Sequence, residues 1–206
     1  MVAIAKPPYI SPQEYLDQER SATDKSEYLA GAIYAMSGAS EAHNLISVNL
    51  AAGLWSQFKG RTCKVYNNDM KVFVDNTGLY TYPDVTALCG EAHFHDRRKD
   101  VLLNPLVIFE VLSPSTEAYD RGKKFSHYQQ ITTLTDYVLI TQDRMLLERY
   151  ERQADGSWRY TSHMDSEERI YFAALECALL LADIYDKVEF PVRLEENPLP
   201  GDPPPA

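Results

Sequence analysis

The clearest periodic signal in the chain lies between Glu41 and Phe58, where Ile46, Leu50, Leu54 and Phe58 recur at every fourth position. That spacing predicts a helix that buries one face, with Gly60 ending it. A shorter helix is expected at Ser11 to Leu16, with Ser11 as N-cap and Pro12 at the first helical position. Between the two, Glu27 to Leu29 and Ala32 to Met36 flank Gly31 and predict a hairpin. Three strands should follow: Cys63 to Asp75, Leu79 to Cys89 and Leu106 to Leu112, the first two joined as one hairpin through Asn76-Thr77-Gly78. The polar stretch Gly90 to Asn104 predicts a mobile loop. A second helix is expected over Asp120 to Gln130 with Asp120 as N-cap, then a strand at Tyr137 to Thr141. A hairpin turning at Asp155-Gly156 joins Met145 to Tyr150 with Trp158 to His163, and Tyr171 to Val188 mixes strand and helix. The central order is helix, three strands, helix, strand.

Length and composition narrow the class. At 206 residues with 45% apolar content, the chain suits one domain over residues 1–190. The tail over residues 191–206 carries six of the twelve prolines and is expected to be unstructured. Its apolar runs are too short to span a bilayer, and Met1 to Tyr9 has no signal-peptide core, so a soluble cytoplasmic protein without a membrane partner is expected. Cys63, Cys89 and Cys177 have no paired spacing and are expected to be small buried hydrophobes. A net charge of -10 is the wrong sign for a nonspecific nucleic-acid coat. It leaves room for a local site in which clustered carboxylates hold a cation.

The chemistry concentrates in two strands. Pro83 in Tyr82-Pro83-Asp84 cannot donate to a sheet ladder, so it belongs at an edge or bulge that displays Asp84. Glu110 lies inside Leu106-Val107-Ile108-Phe109-Glu110-Val111-Leu112, where a carboxylate is costly unless paired or bound to metal. Neighbouring strands would let the two acids share a cation, and oxygen ligands of this kind suit Mg²⁺ or Mn²⁺. The bland alternative makes Glu110 an ion-pair partner and Asp84 a turn residue. Lys124 and Tyr128 share a face of the following helix and could reach the same point; otherwise Asp120 and Lys124 form an exposed surface pair. His93-Phe94-His95 has metal-like spacing but no third ligand, and with Arg97, Arg98 and Lys99 it suits a solvated loop, or a basic cluster touching a phosphate backbone.

These segments, together with Gly31 to Ser40 and His43, resemble the Uma-type restriction endonuclease family of the PD-(D/E)XK nuclease superfamily. The matching motifs are Tyr82-Pro83-Asp84-Val85, Glu110-Val111-Leu112-Ser113-Pro114-Ser115-Thr116, and Asp120-Arg121-Gly122-Lys123-Lys124 with Tyr128. The resemblance implies an α/β (α+β) restriction-endonuclease-like αβββαβ core, a central mixed sheet flanked by helices, with added hairpins. It also implies a Mg²⁺-dependent (or Mn²⁺-dependent) endonuclease acting on DNA, with Asp84, Glu110 and Lys124 catalytic and metal held by Asp84, Glu110 and the Val111 carbonyl. The lysine usually two residues after the acid is replaced here by Leu112. Lys124 stands in for it, with Lys123 as fallback. His43, Glu27, Tyr128 and Arg121 are supporting or substrate candidates. Cutting two strands takes two sites, so a homodimer is expected. The alternative is a nuclease fold without catalysis, serving as a nucleic-acid or protein binding module.

Overall fold

The computed structural model describes residues 9–36 and 38–191. Helix α1 (Pro12–Glu19) starts at a capping box: the Ser11 hydroxyl accepts from the Glu14 N–H, and the Glu14 carboxylate accepts the Ser11 N–H at 2.8 Å. It buries Tyr15 and Leu16. Strands β1 (Ser26–Leu29) and β2 (Ala32–Ala35) pair through a tight turn at Ala30 and Gly31, both at positive φ, where glycine removes the Cβ clash at one position. Helix α2 (Glu41–Phe58) is capped by the Ser40 hydroxyl and buries Ile46, Leu50, Leu54 and Phe58, the stripe the periodicity predicts.

The long hairpin expected from Cys63 to Cys89 is broken in both arms. It becomes β3 (Lys64–Asn67) and β4 (Lys71–Val74) on one side, β5 (Leu79–Thr81) and β6 (Val85–Leu88) on the other. Residues 68–71 of one arm face residues 82–84 of the other, a bulge with one residue in excess, and Pro83 with no N–H sits in it. The break sends the halves into different sheets. β4 and β5 join a five-stranded sheet ordered β2-β1-β5-β4-β7, in which β7 is Val101–Leu102. β3 and β6 join a six-stranded sheet that also contains β8 (Val107–Leu112), β9 (Asp136–Thr141), β10 (Leu147–Arg152) and β11 (Trp158–His163), ordered β11-β10-β9-β8-β6-β3. β8 and β9 run parallel and the other pairs in that sheet antiparallel, so it is mixed. A small hairpin of β12 (Arg169–Phe172) and β13 (Cys177–Leu180) stands apart. The fold is mixed α+β, with the αβββαβ order running from α2 through the hairpin and β8 to a helix over residues 117–128 and β9.

Both faces of the six-stranded sheet are covered. On one, α2 and the β12–β13 hairpin pack against Val85, Ala87, Val107, Phe109, Val138 and Ile140. On the other, Ile108, Leu112, Tyr137 and Leu139 meet Tyr128, Ile131 and Leu134. A third cluster stacks Tyr15 on Tyr28, with Tyr80 alongside.

Three expectations need correction. The stretch 90–104 is pinned: β7 pairs with β4, Phe94 bridges Leu102, and Arg20 binds Asp100 at 2.9 Å and Asp96 at 2.6 Å. Asp120 is no N-cap, because the helix begins at Glu117 and Asp120 is buried within it. Cys63 and Cys89 form a disulfide, and only Cys177 is free and buried. Lys64 pairs with Leu88, so the cysteines are the next cross-strand pair of that ladder, a relation hidden in a 26-residue separation. The proline-rich tail, apart from Pro191, lies outside the described residues.

Two outcomes follow. Alkylation of the unfolded chain should label one thiol without reductant and three after reduction, read by mass; three labels before reduction would refute the pairing. The guanidinium of Arg20 holds Asp100 down to about 2, so the ion pair contributes stability fully above the ordinary carboxylate pKa near 3.8 and loses it as pH falls towards 2. Asp100→Asn should cost about 1 to 2 kcal/mol in urea denaturation at neutral pH, with the gap to the parent narrowing below pH 4.

Candidate active site

The site begins with register. Val85 in β6 pairs with Phe109 in β8, so one further antiparallel step sets Asp84 opposite Glu110. Directly opposed residues carry their Cβ atoms about 5 Å apart. The bulge at Pro83 ends the ladder there, leaving the Val111 N–H free to donate to Asp84 Oδ2 at 2.7 Å. A strand residue's C=O points to the same side as its N–H, so the Val111 carbonyl faces this edge too. His43, in the first turn of α2, reaches the same Asp84 oxygen at 3.2 Å. Asp84 is less displayed than the proline suggests: its side chain is only 12% exposed, at the wall of a cavity.

The helix over residues 117–128 supplies the cation. It is α-helical at Glu117–Tyr119 and Phe125–Tyr128, with one π-helical turn, Asp120–Lys124, between them. Such wide turns recur at functional sites because they redirect side chains. Lys124 Nζ lies 2.9 Å from Glu110 Oε1, 3.4 Å from Glu27 Oε1 and 3.5 Å from Asp120 Oδ1. The Tyr128 hydroxyl donates to the same Glu110 oxygen at 2.8 Å. Lys123 is exposed. Glu27 comes from β1 in the other sheet: Tyr28 pairs with Tyr80, which brings Glu27 beside Thr81, whose hydroxyl donates to it.

Electrostatics follow from burial. Desolvation pushes the Glu110 carboxyl up to about 8; the Lys124 ammonium pulls it down, and the Asp84 and Asp120 charges push it up again. Burial also works against the charge of Lys124, but Glu110, Tyr128, Glu27 and Asp120 outweigh it and hold its pKa above the ordinary value. Near neutral pH the lysine is charged, and Glu110 is close enough to its midpoint for another nearby positive charge to ionise it. Glu27, His43, Asp84, Glu110, Asp120 and Lys124 all border one cavity of about 840 Å³.

One supporting candidate is misplaced. Arg121 pairs with Glu117 at 2.7 Å and Glu148 at 2.5 Å, outside the residues lining the cavity. The π-turn points Lys124 inward and leaves Arg121 on the β10 side. The cavity takes in further residues, among them Asp120, in place of its expected surface pairing; Gln142, whose amide donates to the Leu112 carbonyl at 2.8 Å and which accepts from Ser40; and Pro191, assigned above to the tail. The four-residue spacing of Asp120 and Lys124 was a usable signal; nothing local marks Gln142. Asp96 binds Arg20, and His95 packs edge-on against Phe73, so that loop is structurally engaged away from the site.

Residues 12–181 match the family described as "Putative restriction endonuclease", Uma2. The chain belongs to this family. Two uncharacterised proteins of Synechocystis sp. are 36% and 33% identical to it, over 89% and 85% of this chain and 95% and 99% of their own lengths. A crystal structure from Anabaena variabilis, titled a putative nuclease belonging to DUF820, superposes with a TM-score of 0.71 at 17% identity, covering 86% of this chain and 98% of that one. At that identity the likeness concerns the fold. It confirms the restriction-endonuclease-like architecture of this family member.

Among the described residues no group of three or more His, Cys, Asp and Glu side chains could hold a metal ion. A family-type Mg²⁺ site must therefore rest on two carboxylates, a carbonyl and water. That donor set fits: Mg²⁺ commonly takes one or two carboxylates and keeps several waters. Asp84, Glu110 and the Val111 carbonyl offer hard oxygens only, and the acid between them is buried and readily ionised by an added charge.

Proposed function

We propose that the chain is a Mg²⁺- or Mn²⁺-dependent endonuclease that hydrolyses DNA phosphodiester bonds. The observation that carries this is the convergence of Asp84 and Glu110 across one ladder step, with Lys124 Nζ 2.9 Å from Glu110, on one cavity. Asp84, Glu110 and the Val111 carbonyl would hold the cation, which when bound polarises the scissile phosphate and acidifies a water. Lys124 offers a fixed ammonium to the charge that builds on the phosphoryl oxygens. Its position two residues after the acid in other superfamily members is filled here by Leu112, whose apolar side chain packs in the core; the helix supplies the charge instead. Tyr128 fixes the Glu110 oxygen, Glu110 together with Glu27 and Asp120 keeps Lys124 protonated, and His43 positions Asp84.

A homodimer would place two such sites on a duplex. A monomer by light scattering would limit each encounter to one strand.

One observation favours the second reading, a nuclease fold that binds without cutting. Asp84 and Glu110 already have partners within the chain, in His43, the Val111 N–H, Lys124 and Tyr128.

Cleavage of plasmid and single-stranded DNA with Mg²⁺ or Mn²⁺ separates the two. The enzyme should cut, Asp84→Ala should not, and Lys124→Ala should lose at least about a hundredfold, the usual loss on removing one charge-stabilising group. Lys123→Ala, altering an exposed side chain, should stay within a few-fold of the parent. Melting temperatures of the variants guard against misfolding. Equal loss in both lysine variants would overturn the assignment of Lys124, and cleavage surviving in Asp84→Ala would overturn the site.

A further inference from the structure

A second cavity, of about 700 Å³, runs along the outer face of α2 beside β3 and shares His43, Asn68 and Asp84 with the first. Its walls are Val48, Ala51 and Trp55 from the helix and Val65, Tyr66 and Asn67 from the strand. Val48 and Trp55 are 62% and 58% exposed, large apolar side chains outside the buried stripe of the helix. From His43 to Trp55 the helix advances about 18 Å, so the groove is a track leading away from the candidate active site. β3 closes the six-stranded sheet, and among the described residues no strand pairs with its outer edge.

No lysine or arginine lines the groove itself, so the contacts its walls offer a strand are to bases and not along the phosphates. The exposed Trp55 ring and the unpaired outer edge of β3 offer a stacking face and hydrogen-bonding groups to unpaired bases. Cations flank the groove at both ends: Lys25 Nζ donates to Asn68 Oδ1 at 3.1 Å near the active site, and at the far end Lys59 Nζ sits 4.2 Å over the Trp55 ring with Lys64 exposed at the start of β3. A base stacked at Trp55 would have its phosphate near the Lys59 ammonium.

Resting on the nuclease reading above, we infer that this groove takes the single-stranded portion of a DNA substrate as it leaves the active site, with a base stacked on Trp55. The substrate class is then single-stranded or locally unpaired DNA.

Trp55 and Trp158 are the two tryptophans of the chain, so a Trp158→Phe background makes Trp55 the sole indole reporter. Titrating a short thymidine oligonucleotide without divalent metal should quench its fluorescence, and the matching duplex should quench far less. Trp55→Ala, a change at an exposed position, should weaken single-strand binding, followed by fluorescence anisotropy of a labelled strand, at least about fivefold. With metal added, it should slow cleavage of single strands more than of duplex. Quenching without cleavage under any metal would refute the nuclease reading and uphold the groove. Unchanged single-strand affinity in Trp55→Ala, or conversion of a dimer to a monomer with affinity intact, would overturn the groove, the latter result making it a subunit interface.

Discussion

A carboxyl group in the middle of an apolar strand is the constraint on which this structure turns. Glu110 shares its sheet face with Ile108 and Leu112 and is almost wholly enclosed. An isolated buried carboxylate would cost several kcal/mol. The chain meets this with Lys124 and Tyr128, both on one oxygen and both from the helix that closes that face. Helix, strand and pocket are therefore not independently variable. The π-turn that breaks the helix lies over Asp120 to Lys124, where a lysine must reach inward while Tyr128, one turn on, still packs on Tyr137. Replacing the ion pair with well-packed apolar groups is often neutral or favourable for stability. Its presence points to a use beyond folding.

The bulge at Pro83 does a second job for the same site. Had the hairpin continued unbroken, the Val111 N–H would have joined the ladder and Asp84 would have been one more sheet residue. With the ladder ended, the Asp84 carboxylate takes that N–H itself. The same break turns β5 into the other sheet, where Tyr28 and Tyr80 pair and carry Glu27 to Lys124. One irregularity thus delivers acids from two sheets to one ammonium.

Much of this was legible in the chain. The helix Glu41–Phe58 is visible because its buried face repeats with the helical period, and β8 because its run is apolar on both faces. Glu110 is conspicuous by breaking that run. Long-range pairing was not legible. The Cys63–Cys89 contact depends on a hairpin whose register slips by one residue at the bulge, and a one-residue slip changes every partner. The inward turn of Lys124 and the outward turn of Arg121 depend on a π-turn that an ideal period of 3.6 does not anticipate. β7, two residues long inside a polar stretch, exists because β4 offers an open edge and because Arg20 gathers Asp96 and Asp100. Tertiary contacts create such an element where local propensity is silent.

The acidic balance of the chain bears on how such a pocket meets a polyanion. Glu27, Asp84, Glu110 and Asp120 line the pocket with Lys124, an excess of acidic over basic groups. A phosphate entering that pocket meets net repulsion unless the carboxylate charge is offset. On the nuclease reading, affinity for the scissile phosphate and affinity for a cation are then coupled, each raising the other by the same factor. Stacking on an aromatic face adds affinity that does not itself depend on the carboxylates, while the strand's phosphates still feel them. An acidic protein can in this way hold a strand by its bases in the α2–β3 groove and admit its phosphate only at the point where charge is neutralised.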